Sequence, residues 1–175
     1  MEGRIYQVNI KPRTPGRRGL PKSPVISARI RKDGLEGDYN RYRSERLGGD
    51  PDQAVLLYPA EIIRRLNEEG WPVRAGDLGE NITTEGLADD AFIRGSIYQV
   101  GEAILEVTKP CDPCRNLSVL PYVGNERKKE FIRALVNRRG WYARVLKEGS
   151  VRAGDRVERV NEAVAGRTVR ELSHK

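Results

Sequence analysis

Short apolar alternations, separated by turn residues, run along most of this chain and predict strands. Residues 4–10 place Ile5, Val8 and Ile10 at apolar positions. Residues 25–31 set Ile26, Ala28 and Ile30 against Val25, Ser27 and Arg29, a pattern that predicts one strand with one apolar face. Residues 54–58, Ala-Val-Leu-Leu-Tyr, form a continuous apolar run and predict a buried strand. Further strands are expected at 81–84, 96–100, 103–108, 141–146 and 156–160.

The period changes to that of a helix in two places. After Pro59, whose missing N–H costs nothing at a helix start, Ile62, Ile63 and Leu66 fall on one stripe that Gly70 closes. A second helix is expected from about 126 to 139, with Asn125 as N-cap, Gly140 as terminator and Phe131, Ile132, Leu135 and Val136 as its stripe. Residues 11–23 are rich in Pro, Gly and Arg and read as loop, and residues 34–52 read as one long polar loop. The pentapeptide Val-Arg-Ala-Gly-Asp occurs at 73–77 and again at 151–155, and its chemistry predicts two equivalent turns. Roughly eight strands and two helices point to a mainly β fold, a β-barrel with helices covering its open ends. A single domain over 1–160 and a short polar tail over 161–175 are expected.

Charge changes this picture locally. The 175 residues carry a formal net charge of +7, and the first 49 hold 12 Lys+Arg against 5 Asp+Glu, so all of the excess sits there. Such a segment suits a solvated face, a wall beside an anionic ligand or a nucleic-acid arm, with Tyr6, Tyr39 and Tyr42 interleaved among the arginines. No base-reading motif accompanies it, so nucleic acid ranks last. No apolar run approaches the roughly 18–20 residues of a membrane span, and no apolar signal core follows Met1, so a cytoplasmic protein is expected.

The chain has two cysteines, Cys111 and Cys114, and one histidine, His174. A four-ligand Cys/His zinc site and a histidine-base triad are both out of reach. Lys109-Pro110-Cys111-Asp112-Pro113-Cys114-Arg115 follows a predicted strand, and its two flanking cations favour thiolate over thiol. A single reactive cysteine, a Cys-x-x-Cys redox pair, half of an intersubunit metal site and two inert buried thiols all remain open. Gly79-Glu80-Asn81 offers close backbone approach and a two-way hydrogen-bonding side chain, and Gly34–Asp38, followed by Arg41 and Arg43, offers arginines to an anion.

Taken in order, several segments resemble the MOSC domain family, named after the C-terminal domain of molybdenum cofactor sulfurase. They are Gly34–Asp38, Ala54–Tyr58, Gly79–Ile82, Val107 through Pro113-Cys114, Gly140–Val145 and Gly154–Val157. The resemblance spans about residues 5–160 and identifies the chain as a free-standing, minimal member. It implies a MOSC-type barrel and a molybdenum cofactor (molybdopterin), bound at least transiently. By position the family's cysteine maps onto Cys114, which would ligate molybdenum or carry a persulfide. The resemblance further implies Gly79, Glu80 and Asn81 against the pterin, and Lys109, Arg115, Lys11 and Arg41 against its anionic edges, with Asp155 near the cofactor. Relatives usually have arginine where this chain has Cys111, and a basic or histidine residue where Tyr39 and Asn40 stand.

Two activities follow from the resemblance. One is a sulfur carrier or sulfurtransferase-like protein in cofactor maturation, fed by a cysteine desulfurase. The other is a molybdenum-dependent reductase of N-hydroxylated small molecules, fed by a redox partner. A basic nucleic-acid-binding barrel is the reading from another class.

Overall fold

The computed structural model describes residues 2–39, 41–87 and 90–161, without the side chains of residues 41, 42 and 46. The expected tail and His174 lie outside the described residues from 162 onward. Strands β1 (Glu2–Ile10), β5 (Val55–Pro59), β6 (Ile82–Glu85), β7 (Ile97–Val100), β8 (Ala103–Pro110), β9 (Trp141–Lys147) and β11 (Arg156–Val160) close into a barrel. The order is β11-β7-β8-β9-β5-β6-β1, and β1 pairs back onto β11. All these pairings are antiparallel except β5–β6. Closure leaves these strands no open edge, and the short β2 (Ser23–Val25) adds to the end of β1.

The mainly β, barrel expectation thus agrees with the structure, and three local expectations do not. Residues 25–31 do not make one strand: the chain bends at Ile26, which is 92% exposed. β3 (Ser27–Arg31) then leaves for a second, three-stranded sheet with β4 (Gly34–Leu35) and β10 (Gly149–Arg152). The polar stretch 34–52 is not one loop, since it contains β4, helix α1 (Arg41–Arg46) and the start of a 3-10 turn at Pro51–Gln53. The second long helix shrinks to α3 (Lys128–Ala134): Asn125 does not cap it, Asn137 takes a φ of 59°, and Val136 is 53% exposed rather than buried.

Helix α2 (Ala60–Glu68) follows the sequence closely, with Ile62, Ile63 and Leu66 buried. Both copies of the repeated pentapeptide make the same turn. Asp77 accepts from the Arg74 N–H at 3.0 Å, and Asp155 from the Arg152 N–H at 2.9 Å. Gly76 and Gly154 take φ of 92° and 88°.

Apolar side chains form two cores. One fills the barrel, with Ile5, Val8, Leu57, Ile82, Leu105 and Val107 essentially inaccessible. The other lies outside the barrel wall, where Leu66 of α2 and Phe131 of α3 meet Tyr58, Trp71 and Leu117. Trp71 and Phe131 stack at 4.7 Å, and Arg127 lies over the Trp71 ring at 3.9 Å. Leu117 belongs to the 3-10 segment Arg115–Val119, so this outer core fixes the chain directly after Cys114. Among the described residues no helix is long and apolar enough to cross a membrane.

Candidate functional site

Strand β8 carries the two cysteines to the barrel rim. Its pairing with β9 shifts register between Val107 and Lys109, and at that irregularity Thr108 donates its hydroxyl to the Asp52 and Tyr142 carbonyls. A bulge of this kind re-aims the residues beyond it. The ladder ends with Pro110 opposite Trp141, and one more bond follows, from the Cys111 N–H to the Gly140 carbonyl at 2.9 Å. Gly140 is required there: its φ is 86°, and a Cβ would stand 2.5 Å from the Leu57 carbonyl. This bond sets Arg139 beside Cys111.

Beneath this rim lies a cavity of about 900 Å³. One wall is the run from Lys109 to Asn116, and the opposite wall holds Arg18, Gly19, Leu20 and Lys22. Leu78, Gly79, Arg139 and Tyr142 also line it, as does the carboxylate-bearing Glu45. The Arg18 guanidinium donates to the Arg115 carbonyl at 3.2 Å and ties the two walls together. The Lys22 N–H donates to the Gly76 carbonyl at 2.9 Å, which anchors the Arg18 loop to the first pentapeptide turn.

The two thiols differ. Cys114 is exposed, Cys111 is buried, and both are free. Burial pushes the Cys111 thiol up, while Arg139 and a hydrogen bond from Tyr142 pull it down without reversing the shift. Arg139 is 4% exposed and donates from Nη2 to the Leu78 carbonyl, while its Nε and Nη1 have no partner. Burial works against its charge, and the neighbouring Cys111, Tyr142, Tyr58 and Glu80 hold its pKa up. A guanidinium stays charged in any protein, so unmade bonds at a buried one are costly.

Of the residues singled out from the sequence, Cys114, Gly79, Lys109 and Arg115 line the cavity. Lys109 is also paired with Asp50 at 3.3 Å. Glu80 and Asn81 are buried behind the wall. Glu80 accepts from the Gly76 N–H at 2.6 Å and the Thr83 hydroxyl at 3.1 Å, and burial pushes its carboxyl up. Asn81 accepts from the Leu56 N–H at 3.1 Å and donates to Asp38 at 2.9 Å. Lys11 contributes its backbone N–H to Asp38 at 2.8 Å and does not line the cavity. Asp155 is engaged by Arg152 in its turn, away from the cavity wall. The side chain of Arg41 lies outside the description.

Four cavity residues carried no clear signal: Arg18, Lys22, Arg139 and Tyr142. Lys22 is buried, and its ammonium meets Asp38 at 2.6 Å. Burial lowers the Lys22 pKa, and Asp38 opposes that shift. The Gly34–Asp38 motif therefore ends in the counter-charge for a cavity lysine.

The arrangement offers an anionic ligand a cationic pocket with one accessible thiol at its edge. Among the described residues no three His, Cys, Asp or Glu side chains cluster as metal ligands.

The chain matches the MOSC domain family over residues 44–158. It is 30% identical over 159 residues to the uncharacterized protein YflK of Bacillus subtilis, covering 86% of this chain and 67% of YflK. It is 36% identical over 114 residues to a protein named reductase from Gibberella moniliformis, covering 62% of this chain and 20% of that protein. The crystal structure of YiiM from Geobacillus stearothermophilus superposes with a TM-score of 0.68 at 29% identity, covering 93% of this chain and 77% of that one.

Proposed function

The chain belongs to the MOSC family, and on that premise we propose that it binds the molybdenum cofactor in the cavity below Cys114, with Cys114 as its working thiol. MOSC domains are generally associated with that cofactor. The observation that carries the reading is the pairing of one exposed thiol with a buried guanidinium, Arg139, whose Nε–H and Nη1–H have no partner.

The residues present fit the group. The cofactor is an anionic pterin that brings its own sulfur ligands, so a single protein thiolate is a sufficient and suitably soft attachment for the metal. Arg18, Arg115 and Arg139 would meet its anionic edges, since guanidinium matches phosphate geometry in bidentate fashion. Gly79, with φ of 79°, would let the pterin approach the backbone closely. Glu80 and Asn81 would act behind it, holding the Gly76–Gly79 turn and the Asp38–Lys22 pair in place. When bound, molybdenum supplies two-electron redox and sulfur-exchange chemistry. Cys114 would hold the metal or carry a sulfur atom as a persulfide for cofactor maturation. Sulfur would come from a cysteine desulfurase, and a cytoplasmic setting belongs to the same proposal.

A second activity is favoured by the relative named reductase: molybdenum-dependent reduction of N-hydroxylated small molecules, with electrons from a partner protein. The test common to both is molybdenum and pterin content. Protein from a cofactor-producing host, gently purified, is expected to carry molybdenum and a fluorescent pterin, and Cys114→Ser to lose the molybdenum. Wild-type protein free of both would overturn the proposal.

A further inference from the structure

Cys111 is left without a task in that reading, yet its setting is specific. It lies three residues before Cys114, on the same cavity wall, in a segment stiffened by Pro110 and Pro113. Its backbone is fixed by Gly140, its thiol reaches the Asp112 carbonyl at 3.7 Å, and Tyr142 and Arg139 line the cavity with it, Arg139 with unpaired N–H groups. Asp112 and Cys114 are the other ionisable groups that act on it.

We propose that Cys111 is a second working thiol, which attacks the inner sulfur of a persulfide on Cys114, closes a Cys111–Cys114 disulfide and expels the outer sulfur as hydrosulfide. This rests on the reading of Cys114 as a sulfur carrier. The persulfide S–S bond breaks as the new S–S bond forms, and the Cys111 proton leaves to solvent. The two cysteine sulfurs are oxidised together by two electrons, and the departing sulfur takes them up as sulfide. A dithiol reductant then restores both thiols for the next cycle.

Exposure fixes the order of events. The exposed Cys114 is the thiol that an incoming sulfur donor reaches. Buried Cys111, only 7% exposed, is less accessible to that donor and acts on a sulfur loaded next to it. As it attacks, Arg139 and Tyr142, which line the same cavity, favour negative charge on its sulfur. Sulfide is thus set free at the edge of the cationic cavity, where Cys114 stands.

The experiment loads wild-type protein and Cys111→Ala with a cysteine desulfurase and cysteine under anaerobic conditions. After desalting, sulfide and intact mass are followed without reductant. Both proteins are expected to gain one sulfur atom, which also shows that the variant is folded. Wild type should then release one equivalent of sulfide and end two hydrogens lighter. Cys111→Ala should keep its sulfur, with release slowed by more than about tenfold. Release from Cys111→Ala at the wild-type rate, or wild type that keeps its sulfur and forms no disulfide, would overturn the inference while leaving the carrier reading intact. No sulfur on either protein would remove the carrier reading and this inference with it.

Discussion

The ammonium of Lys22 meets the carboxylate of Asp38 at 2.6 Å, with both side chains less than a tenth exposed. The same carboxylate holds the Lys11 N–H and the Asn81 amide. The residue that ends the Gly34–Asp38 motif therefore joins the end of strand β1, a cavity wall and the start of strand β6. Replacing Asp38 with Asn leaves a buried ammonium without its counter-charge, a loss that costs about 3–5 kcal/mol in comparable pairs. Urea unfolding of Asp38→Asn is expected to show a cost near that range, and adding Lys22→Met should recover part of it. A cost below about 1 kcal/mol would mean that the pair is not buried in solution.

The unequal exposure of the two thiols predicts unequal alkylation. With iodoacetamide at neutral pH, native protein is expected to take one adduct quickly, mapped by peptide mass spectrometry to Cys114. A second adduct, on Cys111, should appear only on unfolding. Equal labelling of both in the native protein would contradict the burial of Cys111.

Glu80 makes a pH-dependent contribution. Burial raises its carboxyl above the ordinary value of 4.5, against the pull of the Gly76 N–H, Arg139 and Thr83. A folded-state value above the unfolded one means that the folded state holds the proton more tightly. The stability linked to Glu80 is therefore full below about pH 4.5 and is lost as pH rises through the raised folded value. Thermal unfolding of wild type and Glu80→Gln between about pH 4 and 7 should show wild type losing ground to the variant as pH rises. A constant difference across that range would show that Glu80 titrates alike in both states.

These contributions differ in how far the sequence announced them. The stripe Ile62, Ile63 and Leu66, the paired turns at Asp77 and Asp155 and the strand leading to Lys109 were legible because each is local: period, turn chemistry and apolar runs act within a few residues. The placement of Arg139 beside Cys111 was not, because it depends on the β8–β9 register and one further bond between Cys111 and Gly140. Lys22 looked like one basic residue among many in a loop, and only folding brings Asp38 to it. Ile26 and Val136 fitted their apolar stripes by spacing, but the chain turns at each place and leaves them exposed. Asn81 read as a ligand-facing amide, yet its side chain is used up by Leu56 and Asp38.

Arg139 is the residue at which stability and function should part. It is a fully buried cation with one hydrogen bond, and no carboxylate lies within ion-pairing distance among the described residues. Met has similar length and no charge to desolvate, and replacement of buried ionic groups by apolar side chains is often neutral or stabilising by about 1–4 kcal/mol. Arg139→Met is therefore expected to match or exceed wild type in urea unfolding, while its co-purified molybdenum and pterin fall. The same variant removes the cation facing Cys111, so sulfide release from a loaded Cys114 should slow. A loss of several kcal/mol instead would assign Arg139 to holding the fold, most directly as the charge opposite Glu80, and would take it out of the ligand site.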